Sequence, residues 1–419
     1  MNILDDLQYR GLIYQISNKE GLKKLLQRKK VVLYCGFDPT AGSLHIGNLL
    51  PLITLKRFQL AGHYPIVVLG GATGLIGDPS GKSEERKLNS PALVRKWGVN
   101  IKKQVQTILG SGRKKSFVKV VNNYDWLGKE KIISFLRDIG KHFTVPYMLA
   151  KESVKTRLKK GISFTEFSYM ALQAYDFLYL YQKYNCQLQI GGSDQWGNIT
   201  AGVDLIRKKL NKEVFGLTLP LIIQANGKKF GKTEKGTIWL DSQRTSPYQF
   251  YQFWINTDDR DVIKFLYYFT FLSLKEIEDL EEATKKHPEK RLAQKRLAQE
   301  LTSLVHGKEK SVQAQRISEK LFSGDIRDLK LDELKIAFQD VPSFQLKKKK
   351  QINLVDLIVK AGIESSKRQA KEDVSAGAIS LNGEKVRDIY KIVDIKERLY
   401  NKYLIIKKGK KKYYLIYWN

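Results

Sequence analysis

His45 stands where three local signals meet. Val31–Tyr34 is a short apolar run, Gly36, Pro39 and Gly42 break the loop that follows, and Leu49, Leu50, Leu52, Ile53 and Leu55 begin a second apolar run behind His45-Ile46-Gly47-Asn48. The order strand, glycine-bearing loop, polar helix start aims free backbone N–H groups and a positive helix end at one spot, which suits a phosphate. An imidazole there adds a donor that can follow charge as it develops. A glycine lets a flat ring approach the backbone closely.

Four more stretches offer reactive or binding groups. The loop Gly70–Ser83 follows the apolar run Pro65–Leu69 and presents Asp78 and Lys82. It fails the Walker pattern, because Ile76 stands where the leading glycine is needed, and no glycine triplet fits G-x-G-x-x-G. Tyr169, Gln173 and Asp176 fall on one face of a helical pattern that is otherwise nearly all apolar. Buried polar groups need partners, so this stripe is either an internal hydrogen-bond network or the bed of a ligand. Asp194, in the turn Gly191–Asn198 after a short strand, is placed either to hold a ribose or to cap the next helix. Lys229, Lys232 and Thr233, interleaved with glycine, could close on a polyphosphate or simply face solvent.

The elements that must position these groups alternate. Strands are expected at 31–34, 65–69, 117–121 and 188–190, with helices between them, which argues for a parallel α/β sheet. Residues 1–30 read as helices. Ser163 with Glu166 reads as a capping box opening the Tyr169 helix. Ser246-Pro247 opens an all-helical region. Leu346–Lys350 reads as a solvated linker. Beyond it, Asn382-Gly383 signals a hairpin, and a second hairpin turns at Lys408–Lys410.

The formal charge is +31, from 74 Lys and Arg against 43 Asp and Glu. Lysine-rich composition throughout accounts for part of it. Residues 346–419 concentrate the excess, with 19 Lys and Arg against 8 Asp and Glu, which favours a nucleic-acid partner for that segment. Cys35 and Cys186 are the only cysteines, too few for a disulfide framework or a cysteine zinc site. No apolar run approaches the roughly 20 residues of a membrane span, and the first residues lack a signal-peptide pattern. A cytoplasmic protein without membrane association is expected.

His45-Ile46-Gly47-Asn48 resembles the H-I-G-H signature of the class I aminoacyl-tRNA synthetases, and Lys229-Phe230-Gly231-Lys232-Thr233 resembles their K-M-S-K-S loop. Y-C-G-F-D-P-T, G-G-A-T-G-L-I-G-D-P-S-G-K, F-T-E-F-S-Y-M-A-L-Q-A-Y-D and Q-I-G-G-S-D-Q-W-G-N-I look like the bacterial tyrosyl-tRNA synthetases, and the likeness runs along the whole chain. The resemblance implies a Rossmann-like parallel-sheet catalytic domain over 1–220 and a linker with a mobile lysine loop over 221–246. It further implies an all-α domain on the anticodon side over 247–325, a linker over 326–350, and a small α+β RNA-binding domain over 351–419.

It also implies roles. Tyr34 and Asp176 would pair with a tyrosine hydroxyl. Asp78, Tyr169 and Gln173 would bind its ammonium group, and Gln195 would lie near its carboxylate. Gly36, Asp38, Gly47, Gly192 and Asp194 would bind the adenosine of ATP. Thr40, His45, Asn48, Lys82, Arg86, Lys229, Lys232 and Thr233 would surround the phosphates and carry catalysis. Magnesium would accompany ATP, with no tightly bound protein metal, and the partners would be L-tyrosine, tRNA(Tyr) and a second identical subunit.

Two departures stand out: Asn48 replaces the second signature histidine, keeping a donor but not a charge, and Phe230-Gly231 replaces Met-Ser, which should affect only loop packing. Two other readings remain open at this stage: a tryptophanyl-tRNA synthetase, and an RNA-binding protein on a synthetase scaffold that no longer forms adenylate.

Overall fold

A computed structural model describes the chain except for residues 1, 82–83, 85–87, 111–117, 159–160, 226, 228–229, 234–235, 348–349, 410–411 and 419, and the side chains at 153, 232 and 233. The described residues form two compact units, 1–245 with 253–305, and 246–252 with 306–419.

In the first unit, β1 (Gln15–Ile16), β2 (Val32–Phe37), β3 (Tyr64–Leu69), β4 (Lys119–Asn122), β5 (Cys186–Gly192) and β6 (Phe215–Leu219) build one sheet in the order β1-β6-β5-β2-β3-β4. All neighbours are parallel except the edge strand β1, which runs antiparallel to β6. The chain leaves β2 toward β3 on one side and returns to the other side as β5. The carboxyl ends of β2 and β5 therefore flank the point where strand order reverses, the usual ligand crevice of such sheets.

Helices α1 (Ile3–Tyr9), α2 (Lys19–Arg28), α3 (Leu49–Leu60), α4 (Pro91–Leu109), α5 (Phe164–Tyr184) and α6 (Trp196–Leu210) accompany the sheet. β1 lies between α1 and α2 in a stretch expected to be purely helical, because its two residues gain ladder partners only on β6. The length of α5 has identifiable causes. Ser163 Oγ accepts from Glu166 N–H at 3.3 Å, the N-cap half of the expected box, while the Glu166 carboxylate pairs with buried Arg157 at 2.8 Å. Asn185, in the left-handed conformation at φ 51°, ends the helix, and an Asn side chain tolerates that backbone. Phe177 and Leu178 on its inner face are buried, each removal from water stabilising the fold by roughly 1.5–3 kcal/mol.

A two-residue hairpin, β7 (Lys232–Thr233) with β8 (Gly236–Thr237), and α7 (Asp259–Phe269) complete the part of this unit that bears on the site.

The second unit contains α8 (Lys308–Ser323), α9 (Leu331–Phe338), β9 (Ser343–Leu346), β10 (Gln351–Asn353), β11 (Ile379–Leu381), β12 (Glu384–Val386), β13 (Ile392–Asp394), β14 (Tyr403–Lys408) and β15 (Lys412–Trp418). Five strands form a sheet in the order β12-β11-β14-β15-β9, and β10 pairs with β13. Both predicted hairpins form, with Leu381 opposite Glu384 and Lys408 opposite Lys412.

Residues 326–350, expected as a linker, are instead largely structured. α9 packs Leu334 and Phe338 into a core with Ile405 and Leu415, and β9 pairs in parallel with β15. The helical region also divides. α7 belongs to the first unit and α8 to the second, where Ile317 and Leu321 share that same core. Helical periodicity shows that a face is apolar but not which surface covers it, so the boundary was not legible.

Candidate active site

Tyr34 sits at the middle of β2, 1% exposed, with its ring 5.3 Å from that of Phe177 on α5. Its hydroxyl has no hydrogen-bond partner among the described residues. Burial, and then the nearby Asp176 carboxylate, push its pKa well above the usual tyrosine value. Asp176 itself is 4% exposed and receives two hydrogen bonds, from Trp126 Nε1 at 2.7 Å and Asn123 Nδ2 at 2.9 Å. Burial pushes its pKa up to about 7; the two donors pull it down and Asp38 pushes it up. The Trp126 indole is itself held by stacking on Tyr179 at 4.4 Å.

Asn123 is fully employed. Its oxygen accepts from Ala72 N–H at 2.8 Å, and its Nδ2 donates to Thr73 Oγ1 at 2.9 Å as well as to Asp176. Thr73 Oγ1 then donates to Asp38 Oδ1 at 2.7 Å, and Tyr169 Oη donates to Asp38 Oδ2 at 2.8 Å. One polar chain thus runs from the α5 stripe to the end of β2.

A second network lies beside it. Gln195 Nε2 donates to Asp78 Oδ2 at 2.6 Å, and Asp78 Oδ1 accepts from Ser80 N–H at 2.9 Å. Gln173 Nε2 donates to Gln195 Oε1 at 3.3 Å, and Asn198 Nδ2 reaches Gln173 Oε1 at 3.3 Å and Ser80 Oγ at 3.3 Å. Asp78, Gln173 and Gln195 therefore converge as acceptors and donors that a bound ammonium group and carboxylate could share, while the Tyr169 hydroxyl is turned to Asp38.

Near the end of β2, Gly36 is exposed with open space above it, and Thr40 in the loop beyond is exposed. His45 precedes a single tight turn, Ile46–Asn48, that runs into α3. Its Nδ1 accepts from Gly47 N–H at 3.0 Å, which places the ring proton of the neutral imidazole on Nε2. A Cβ at Gly47 would sit 2.7 Å from that ring. Asn48 closes a reciprocal cap, its Oδ1 accepting from His45 N–H at 3.1 Å. The amide is used to fix the turn.

The lysine-loop backbone lies against the same turn. Ile46 N–H donates to Ile238 O at 3.1 Å, Leu240 N–H to Leu44 O at 2.8 Å, and Ile238 N–H to Gly231 O at 3.1 Å. Lys82, Arg86 and Lys229 lie outside the described residues, as do the side chains of Lys232 and Thr233.

On the other side of the crevice, Gly192 ends β5 and Asp194 follows in an exposed turn. A cavity of about 750 Å³ opens there, lined by Tyr14, Lys151, Asp194, Trp196, Thr200 and Leu221 among others. Among the described residues, no cluster of three His, Cys, Asp or Glu could hold a metal ion.

Asn123, Trp126 and Asn198 were missed in the sequence. A polar side chain gives no local sign of which distant buried carboxylate it will meet.

Comparison with known proteins fixes the family. Residues 26–323 match the family described as tRNA synthetases class I (W and Y), and residues 333–416 match the tyrosine–tRNA ligase SYY-like C-terminal domain. The chain is 59% identical to the tyrosine–tRNA ligase of Geobacillus kaustophilus over 417 residues, covering 99% of each. It is 56% identical to tyrosine–tRNA ligase 1 of Bacillus subtilis, again over 99% of each. The crystal structure of a C-terminally truncated mitochondrial tyrosyl-tRNA synthetase from Aspergillus nidulans superposes with a TM-score of 0.70 at 31% identity, covering 77% of this chain and 94% of that one. The chain therefore belongs to the class I tRNA synthetases, within their tyrosine–tRNA ligase family.

Proposed function

We propose that this protein joins L-tyrosine to ATP, forming tyrosyl adenylate and pyrophosphate, and then passes tyrosine to the 3′ end of tRNA(Tyr). One observation supports the amino acid above others: a buried tyrosine hydroxyl without a partner stands beside a carboxylate already oriented by Asn123 and Trp126. A phenol supplies both a donor and an acceptor, and so pairs with Asp176 and Tyr34 together. An indole N–H supplies only a donor, which argues against tryptophan.

The chemistry needs no covalent enzyme intermediate. A tyrosine carboxylate oxygen attacks the α-phosphorus of ATP, and the bond to the β-phosphate oxygen breaks as pyrophosphate leaves. Asp78, Tyr169, Gln173 and Gln195 hold the amino acid head group at the site of attack. The Nε2–H of His45, the Thr40 hydroxyl and the loop lysines meet charge that grows on the phosphoryl oxygens, and donors that fit that state better than ATP itself accelerate the step. Magnesium would arrive as part of the MgATP substrate, held by phosphate oxygens and water, and would offset charge on the leaving pyrophosphate. In the second step a terminal ribose hydroxyl of tRNA attacks the tyrosyl carbonyl and AMP leaves.

Exposed Lys371, Lys385 and Arg387 in the second unit suit an RNA backbone. Exposed Ile132, Ile133, Leu136, Val145 and Phe164, the last 78% exposed, support a homodimer through this segment. Two free, buried cysteines accord with a cytoplasmic setting.

Pyrophosphate exchange into ATP, assayed with tyrosine, tryptophan and phenylalanine in turn, tests the first step. Exchange driven by tryptophan and not tyrosine would reject the assignment, and absence of exchange with all three would favour an RNA-binding protein instead. Replacing Lys371, Lys385 and Arg387 by alanine should leave exchange intact and flatten the salt dependence of tRNA charging by about 0.7–0.9 logarithmic units per lost contact. Ile133→Asp with Leu136→Asp should shift sedimentation toward a monomer.

A further inference from the structure

The lysine loop enters its hairpin through Phe230, which is 8% exposed in a socket of aromatic rings. Phe269 stacks on it at 5.5 Å, Phe265 meets it edge-on at 5.3 Å, and Phe253 and Trp254 stand at 5.9 Å. Phe265 and Phe269 belong to α7. The carbonyls at the end of that helix are gripped from α3: Arg57 Nη2 donates to Tyr267 O at 3.2 Å and, at closer range, to Thr270 O. Asp6 bridges Arg57, at 3.4 Å, to Arg10, at 2.7 Å, and Arg10 donates to Leu272 O at 2.8 Å. Both guanidinium side chains are 5% exposed.

The ordinary role of such a cluster is to cap a helix C-terminus, where cations are favoured. Its position gives it a second consequence. α3 is the helix that continues from the His45 turn, and α7 carries the socket of the lysine loop. The third link is direct: Gly231, at φ 82°, packs on Ile46, where a Cβ would come within 2.9 Å of the side chain. His45, Arg57, α7 and Phe230 thus form a closed mechanical loop, and Arg57 is the only described residue of α3 whose charge reaches the α7 carbonyls through hydrogen bonds.

We infer that Arg57 is a positioning residue for adenylate formation: by fixing the end of α7 to α3 it sets where Phe230, and Lys232 two residues later, stand relative to His45. The inference rests on the proposed placement of Lys232 at the phosphates. A shift of about 1 Å in a group that meets the transition state can cost on the order of a hundredfold in rate, so a loop held only by its own glycines would be poorly aimed. Nη2 holds both carbonyls while Nη1 pairs with Asp6, three partners spread over two branches of a planar fork that an ammonium cannot reproduce in the same geometry.

The test uses the full-length enzyme with tyrosine and MgATP. Single-turnover adenylate formation is measured against ATP concentration, and tyrosine affinity by equilibrium dialysis, for Arg57→Met, Arg57→Lys, Phe230→Ala, the Arg57→Met/Phe230→Ala pair and Lys232→Ala. The expected result for Arg57→Met is a loss of about ten- to a hundredfold in the ATP-dependent rate, with tyrosine affinity changed by less than about twofold. Arg57→Lys should recover part of the rate, and the double variant should lose little more than the larger single loss. Additive losses, or equal losses in tyrosine and ATP parameters, overturn the coupling. Should Arg57→Met bind no tyrosine because it has unfolded, a cycle built on Arg57→Lys and Phe230→Ala decides by the same criterion. A wild-type rate in Lys232→Ala would reject the placement of the loop at the phosphates. A slow Lys232→Ala beside a wild-type Arg57→Met would reject only the role of Arg57.

Discussion

At the phenol end of the cleft, side chains do the positioning; at the phosphate end, backbone does. Asp176 is buried, receives two hydrogen bonds, and is tied through Asn123 and Thr73 to Asp38. Around His45 the hydrogen bonds run from main-chain N–H groups: Gly47 to the imidazole, His45 to Asn48, Ile46 to Ile238. Thr40, Gly36 and Asp194 at that end are exposed. The contrast has a physical sense. Selecting a phenol requires groups that are fixed and desolvated before the substrate arrives, since an unpaired buried polar group then penalises the wrong ligand. Promoting phosphoryl transfer requires groups that match a charge distribution present only during the step.

Asp176→Ala should break the phenol end most completely, lowering tyrosine-dependent exchange by about a thousandfold or more, since it removes the substrate's charged partner and leaves the Asn123 and Trp126 donors unpaired. An enzyme retaining near-normal exchange would show that the phenol binds elsewhere. Asn123→Ala should be milder, weakening tyrosine by roughly ten- to a hundredfold while the apparent affinity for ATP stays near wild type, which competition binding of both ligands would show. Gly231→Ala probes the other end: its added Cβ meets Ile46 and its φ is unfavourable for alanine, so adenylate formation should slow by about tenfold with tyrosine affinity unchanged.

The smallest effect is one of pH. Burial raises the Asp176 pKa to about 7, so the unliganded fold favours the neutral acid. That preference stabilises the protein fully below the ordinary carboxylate pKa and is lost as pH rises through about 7. On the proposed reading tyrosine binding runs the other way, because the substrate hydroxyl would donate to the ionised form. Tyrosine affinity should fall by about tenfold for each unit below pH 7 and level off above it. Asn123→Ala, lacking a donor that holds the pKa down, should move that limb to higher pH; a limb that stays in place would assign it to another group.

The sequence carried the reactive groups and much of their local setting. Tyr34 in a strand, the Tyr169–Gln173–Asp176 stripe, the capped helix start at Ser163 and the Asn382-Gly383 hairpin all depend on contacts within a few residues, which periodicity and turn chemistry report directly. It did not carry the strand β6, whose burial erases alternation, or the edge strand β1 that pairs with it.

What the chain alone determined is therefore the kind of chemistry and the order in which its parts occur. What only the folded molecule decided is pairing across distance. Asn123 and Trp126 come to Asp176 from about 50 positions away, and Tyr169 joins Asp38 across 131. Asn48 spends its oxygen on a backbone N–H, and α9 and β9 join a core where solvated linker was expected. Each of these choices is made by which surfaces remain to be covered once the sheet has assembled, and that is a property of the whole chain that no short window of residues contains.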